Sequence, residues 1–244
     1  MLLPGMDGSG ELFAPLIQAL GVDLHTQVVR YPPEQPLGYG PLIEQVRQQL
    51  PAGRPFILLG ESFSGPIAVS LAAERPAGLL GLVLCCTFIR NPRPGLAWLS
   101  GLLPLVSPRL APRALLSQLL LGRFATPALD QALAGALAPL SSATLQARLR
   151  AVLEVDATAH LQQIQVPLLY LQATADRLVP ADAARLIEQH AGDFQCQQLE
   201  APHCLLQARP YDAARLLEHF AKTVGTDQGD QVAGRSTSSS GRSE

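Results

Sequence analysis

The stretch Leu58-Leu59-Gly60-Glu61-Ser62-Phe63-Ser64-Gly65-Pro66 decides how the rest of the chain is read. Phe56 to Leu59 is a short, continuous apolar run, as expected of a central strand buried on both faces. From Gly65 to Arg75 small and apolar residues follow at helical spacing, and Pro76 ends the run. Ser62 therefore sits at a sharp junction between a buried strand and a helix. Residues two before and two after such a serine must be small for strand and helix to approach, and Gly60 and Ser64 meet that need, with Gly65 one place later. Serine thus stands where the last glycine of G-x-S-x-G is expected. The departure opens a second frame with Ser64 at the apex, flanked by Ser62 and Pro66, but proline fits poorly two residues after such a turn. Ser62 is favoured. A turn of this composition also serves elsewhere as a structural turn or as an anion site at a helix N-terminus, and the motif alone does not separate these uses.

Outward from this turn, strand-like and helical runs alternate, which argues for an α/β fold with a mostly parallel central sheet flanked by helices. Met1 to Leu3 reads as a strand end stopped by Pro4 and Gly5. Glu11 to Leu20 then places Leu12, Phe13, Leu16, Ile17 and Leu20 on one helical face. A strand over Gln27 to Tyr31 ends at Pro32 and Pro33, and a helix over about 41–50 follows. Leu79 to Cys85, Pro167 to Ala173 and Phe194 to Leu199 read as further strands. One helix opens at Pro180, in the first-turn position that proline favours, and another at Pro210, with Ala213, Leu216, Leu217 and Phe220 facing inward. Between 88 and 165 proline, leucine and alanine dominate and no strand stands out. The expected organisation is a core of residues 1–87 and 166–224, a helical cap insertion over 88–165, and a disordered tail over 225–244, where Gly, Ser, Thr, Asp and Gln leave almost nothing apolar to bury. At 244 residues the chain needs only one domain.

A serine hydroxyl is a weak nucleophile until a positioned base takes its proton, so a histidine and an orienting third group are required. Of the histidines at 25, 160, 190, 203 and 219, only His203 lies in a loop after the last strand, in Glu200-Ala201-Pro202-His203-Cys204. Strand Pro167 to Ala173 runs into Thr174-Ala175-Asp176-Arg177-Leu178-Val179-Pro180, which puts Asp176 at the same edge of the sheet. An aspartate there would fix the imidazole tautomer, although capping a turn is the commoner role of a loop aspartate. Acyl transfer also builds charge on a carbonyl oxygen. The backbone N–H groups of Phe63 and of Met6, in the glycine-rich loop Leu3 to Gly10, are the candidate donors to that oxyanion. The same glycines would also make a tight turn. A phosphate cradle is disfavoured because neither G-x-x-x-x-G-K-[ST] nor G-x-G-x-x-G spacing is present.

Composition removes other classes. A formal charge of −2 with no basic stripe argues against a nucleic-acid partner. Cys85, Cys86, Cys196 and Cys204 lack metal-ligand spacing, and the adjacent pair lies in a strand-like apolar run, so neither a disulfide nor a zinc site is expected. The leucine-rich stretch from Leu99 to Leu121 is cut by Gly101, Pro104, Pro108 and Pro112, which argues against stable membrane insertion. With nothing resembling a secretory signal, the expected location is cytoplasmic, and arginine in place of all lysine but Lys222 points to a GC-rich bacterial genome. Oligomeric state is not legible.

Taken together, the turn at Gly60 to Gly65, the Leu3-Pro4-Gly5 loop, Asp176 before Arg177-Leu178-Val179-Pro180, Pro202-His203 and the chain order Ser, Asp, His resemble the α/β-hydrolase superfamily over roughly 1–224. The resemblance implies a cofactor-free serine hydrolase with Ser62 as nucleophile, His203 as base and Asp176 as orienting acid. The expected substrates are carboxylic esters of small to medium apolar acyl groups, cleaved through an acyl-enzyme, since leucines and Trp98 enrich the cap, although the same leucines would equally serve to pack the cap helices together. A thioesterase or acyltransferase with the same triad, and a non-catalytic ligand-binding relative, stay open. Two departures stand out: Pro4-Gly5 replaces the His-Gly of many members, and the antiparallel strands that usually precede the first parallel strand are missing, so a late start or a shortened sheet is expected.

Overall fold

The computed structural model describes residues 1–22, 24–95 and 112–237, with 227–237 described by backbone alone. Strands β1 (Leu2–Leu3), β2 (Phe56–Glu61), β3 (Leu79–Cys85), β4 (Leu168–Ala173) and β5 (Phe194–Leu199) form one parallel sheet in that order. The helices are α1 (Ala14–Ala19), α2 (Tyr39–Arg47), α3 (Gly65–Ala73), α4 (Arg113–Leu120), α5 (Pro127–Leu137), α6 (Ser142–Glu154), α7 (Thr158–Leu161), α8 (Ala181–His190), α9 (Leu205–Ala208) and α10 (Pro210–Thr237). Because successive strand residues point to opposite faces, the sheet carries two cores. Leu58, Leu82, Leu84, Leu168 and Tyr170 meet Leu42 and Val46 of α2, Ile67 and Leu71 of α3, Leu161 of α7 and Ile187 of α8. Leu59, Val83, Cys85, Leu169 and Leu171 meet Leu16 of α1, Leu205 and Leu206 of α9, and Ala213, Leu217 and Phe220 of α10.

The connection after β1 decides where a site forms. On its free side β1 pairs with Val28 through a single parallel bridge, in which Leu2 N–H donates to the Gln27 carbonyl at 2.8 Å and Val29 N–H to the Leu2 carbonyl at 3.0 Å. The strand expected over Gln27 to Tyr31 shrinks to this bridge. β1 offers only two residues to pair with, and by Tyr31 the N–H already donates to the Gly8 carbonyl at 2.8 Å. The chain thus leaves β1 toward one side, through α1, and returns across it through α2 to β2. That reversal sends α1 and α2 to opposite faces, and in sheets of this kind ligands bind beyond the C-terminal strand ends at such a switch point.

Between β3 and β4 every described element is helical. Thr126 and Ser141 cap α5 and α6 by accepting from the N–H groups of Leu129 and Thr144. Ala157 N–H donates to the Ile89 carbonyl at 2.8 Å where the segment leaves and rejoins the core. Trp98, Leu99, Leu102, Leu103 and Leu105, which set the expected apolar character of the cap, lie outside the described residues. Two boundaries differ from expectation. Pro180 caps α8 from outside rather than opening its first turn. α10 continues to Thr237, past Val224, its last described buried residue, because an established helix extends by one hydrogen bond per added residue without a new nucleus. Of the expected disordered tail, 238–244 lie outside the described residues. Among the described residues no helix is long and apolar enough to cross a membrane.

Candidate active site

Ser62 directly follows β2 with φ +50°, a left-handed conformation that a residue with a Cβ adopts only under constraint. The constraint comes from its neighbours. A Cβ on Gly60 would lie 2.8 Å from both the Ala68 Cβ and the Ser64 carbonyl oxygen, so strand and helix can meet here only through glycine. The Gly65 position is filled by the side chain of Thr87, whose hydroxyl donates to the Ser62 carbonyl. Thr87 is held in turn by Tyr170, which accepts from its N–H at 3.2 Å and donates to its carbonyl at 2.7 Å.

Ser64, the serine of the second frame, has its hydroxyl engaged. Ser64 is fully buried, its hydroxyl donating to the Pro4 carbonyl and accepting from the Tyr31 hydroxyl at 2.6 Å. Burial pushes the Tyr31 phenol well above its ordinary pKa, so it serves here as a neutral donor.

Ser62 Oγ lies 2.8 Å from His203 Nε2, and His203 Nδ1 lies 2.8 Å from Asp176 Oδ2. With the proton on Nδ1, the imidazole donates to the carboxylate and accepts from the serine. The other oxygen of Asp176 accepts from the N–H groups of Leu178 at 2.8 Å and Val179 at 2.9 Å, which leaves Oδ2 aimed at the ring. Both side chains are nearly sealed from solvent, at 7% exposure for His203 and 5% for Asp176. Their loops run side by side because the β4–β5 ladder continues past the strands: Thr174 N–H donates to the Leu199 carbonyl at 2.9 Å and Ala175 N–H to that of Ala201 at 3.0 Å. Next to the histidine, burial raises the Cys204 thiol well above its usual pKa, so this neighbour offers no thiolate.

The loop after β1 lies against the serine, with the position of a Gly5 Cβ 3.9 Å from that of Ser62. It turns tightly, Gly8 N–H donating to the Gly5 carbonyl at 3.1 Å. Met6 and Phe63, the two expected oxyanion donors, thus flank Ser62 on the loops after β1 and β2. Among the described residues neither N–H has a partner outside its own element.

Two features escaped the sequence reading. Glu61 is buried beside the serine and accepts from Gln207 Nε2 at 3.0 Å; burial, above all, pushes its carboxyl up to about 7. Arg148 of α6 is fully buried and donates to the carbonyls of Met6 at 2.7 Å, Asp7 at 3.1 Å and Pro32 at 3.0 Å. Proximity of Glu61 to Ser62 was visible in the sequence, but nothing local marks Gln207 as its partner. A cleft of about 320 Å³ lined by Met1, Leu20, Pro51 and Arg54 opens at the opposite edge of the sheet, and no residue of the Ser62, His203 and Asp176 group lines it.

The chain's likeness to known proteins agrees with this architecture. The esterase from Exiguobacterium antarcticum superimposes with a TM-score of 0.76 at 18% identity, over 91% of this chain and 90% of that one. A bromoperoxidase from Bacillus anthracis gives 0.77 at 15% identity, over 91% and 90%. The enol-lactonase from Burkholderia xenovorans LB400 gives 0.67 at 20% identity, over 91% and 90%. At such identities these likenesses speak for the fold. No curated protein matches in sequence. Residues 40–206, more than half of the chain, match the family described as "Serine aminopeptidase, S33", and with the sheet and its helices in place the chain belongs to that family of hydrolases, within the α/β-hydrolase superfamily.

Proposed function

We propose that the chain is a serine hydrolase that cleaves carboxylic esters of small to medium apolar acyl groups through an acyl-enzyme. The observation that carries this reading is the unbroken relay from Ser62 Oγ through His203 to Asp176, 2.8 Å at each step, with the serine at φ +50°. Ser62 Oγ attacks the acyl carbonyl as its proton passes to His203 Nε2, and Asp176 stabilises the imidazolium that forms. The N–H groups of Met6 and Phe63 take the developing oxyanion, each worth about 3 to 4 kcal/mol in the transition state. Collapse breaks the ester C–O bond, and the leaving alkoxide takes the proton from Nε2. Water then attacks the acyl-enzyme by the same route and frees Ser62. In this reading 88–165 is a helical cap over a core of 1–87 and 166–224.

The family's description favours a second reading, release of an N-terminal amino acid, which needs a carboxylate for the substrate's ammonium. Three observations speak for the ester. Residues 90–129 carry five arginines and no acid. The acids beside the serine already have partners: Asp7 accepts from Ser9, Glu61 from Gln207 and Asp176 from His203. Leu121, Leu133 and Cys204 form an apolar cluster beside the His203 loop.

The test is labelling with a fluorophosphonate, with mass spectrometry of the modified peptide, followed by turnover of p-nitrophenyl acyl esters, acyl-CoA thioesters and aminoacyl p-nitroanilides. Modification at Ser62 with ester turnover is expected. Preference for the aminoacyl anilide would install the second reading, and modification elsewhere, or none, would remove the first.

A further inference from the structure

We propose that Arg148 is a positioning residue: from helix α6 it holds the backbone turn that presents the Met6 N–H, so that this part of the cap helps form the oxyanion site. The inference rests on the serine hydrolase reading above. It begins with a cost. A guanidinium with no solvent exposure loses its hydration, and such a charge persists only where the surroundings replace the lost hydrogen bonds. Desolvation lowers the pKa of Arg148, and its hydrogen bonds replace water with backbone carbonyls rather than with a carboxylate. Nε remains buried without a partner, so the site is not optimised for the arginine's own sake.

What the arginine does for the loop is specific. Met6 and Asp7 are the two central residues of the turn closed by Gly8 N–H to the Gly5 carbonyl, and Nη1 reaches both of their carbonyls. Nη2 reaches the Pro32 carbonyl, on the far side of the chain segment that bridges to β1. The guanidinium also stacks over the Tyr31 ring, its carbon 5.6 Å from the centroid. Tyr31 is the residue that donates to Ser64, inside the turn that holds the nucleophile. One side chain therefore ties the first loop and the wall behind the serine to α6.

Gly8 supports the same conclusion. It has φ +71°, and a Cβ there would come within 2.6 Å of Nη1, so the glycine serves both the turn and the approach of the guanidinium. The two carbonyls turned toward Arg148 fix the Met6–Asp7 and Asp7–Gly8 peptide planes, and the Gly5–Met6 plane, which carries the Met6 N–H, is held next to them by the bond from Gly8 N–H to the Gly5 carbonyl; among the described residues that Met6 N–H has no acceptor. A donor fixed before the substrate arrives needs no reorganisation as charge develops, and small displacements of such a group are costly in rate.

The test compares Arg148→Gln and Arg148→Lys with the exposed Arg150→Gln from the same helix. Steady-state kinetics use a p-nitrophenyl acyl ester, with folding checked by circular dichroism at the assay temperature. Both Arg148 variants should lose about 10- to 100-fold in kcat with KM changed less than about threefold, because the lost interaction acts on the transition state. Arg150→Gln should match the parent. Arg148→Lys keeps charge and length but loses the forked reach to two carbonyls, so it tests the idea even if the glutamine variant does not fold. A folded Arg148→Lys or Arg148→Gln enzyme with parental kcat, or with the whole effect in KM, would overturn the proposal. An inactive parent enzyme that takes no fluorophosphonate would instead defeat the hydrolase reading on which it rests.

Discussion

Replacing Glu61 by glutamine should flatten a specific part of the pH dependence of stability. The Glu61 carboxyl is 6% exposed and has one protein donor, Gln207 Nε2 at 3.0 Å. Burial raises its pKa from 4.5 to about 7, the Gln207 hydrogen bond opposes that rise, and the charges of Asp7 and His203 act in opposite senses. Between those two pH values the folded chain keeps a proton that the unfolded chain has released. Stability from this group is therefore fully present below about 4.5 and is lost as pH rises through about 7. The gap corresponds to about 3 kcal/mol. In Glu61→Gln the side chain is neutral throughout, and its amide can donate to Gln207 Oε1, which is buried without a partner in the parent chain. The assay is urea unfolding followed by circular dichroism at intervals from pH 4.5 to 8. Carboxylates held low by partners, such as Glu74 beside Arg47 and Asp156 beside Thr158, titrate identically in both chains and cancel in the difference. The variant should gain on the parent by up to about 3 kcal/mol across the interval. A difference that stays constant from pH 4.5 to 8 would refute the idea that Glu61 is folded in as a neutral acid.

Three further outcomes are expected. Ser62→Ala should abolish fluorophosphonate labelling while Ser64→Ala retains it, since the Ser64 hydroxyl is already committed to Pro4 and Tyr31; labelling that follows Ser64 would move the nucleophile. Asp176→Asn should lower kcat by about 10⁴ with the fold intact, because an amide can hold the wrong imidazole tautomer; parental kcat would show that the carboxylate only caps its turn. Gly60→Ala should cost about 1 to 3 kcal/mol in urea unfolding and depress labelling as well, since its new methyl would meet the Ala68 Cβ and the Ser64 carbonyl at 2.8 Å; an unaffected chain would mean the turn is looser than its contacts imply.

The parts of the site that were legible in the sequence share one property: each lies just after a strand stops. Ser62, Asp176 and His203 follow β2, β4 and β5, and strand-like runs at 56–59, 167–173 and 194–199 mark those strands in the sequence. Met6 follows β1 in the same way. The illegible parts are fixed by partners remote in sequence. Helix α6 carries Arg148 and Arg150, of which the first is sealed and the second exposed, and nothing in their immediate neighbours tells them apart. In the sequence the preference for Ser62 over Ser64 rests on a proline, whereas the contact that occupies the Ser64 hydroxyl comes from Tyr31, 33 residues away. The strand expected over Gln27 to Tyr31 has the right residues and too short a partner, so pairing rather than propensity set its length.

The same contrast explains why this site is assembled from both the core and the segment between β3 and β4. A parallel sheet brings the ends of its strands to one edge, which suffices to gather Ser62, Asp176 and His203 once β4 and β5 lie side by side. The edge does not fix how the connecting loops turn. For the histidine loop that work is shared with α4, where Cys204 N–H donates to the Leu120 carbonyl at 3.2 Å, directly after His203. For the first loop it falls to Arg148 of α6. A chain that kept the strands and replaced 112–155 with an unrelated helical segment would then retain its sheet, yet lose the placement of His203 and of the Met6 N–H together.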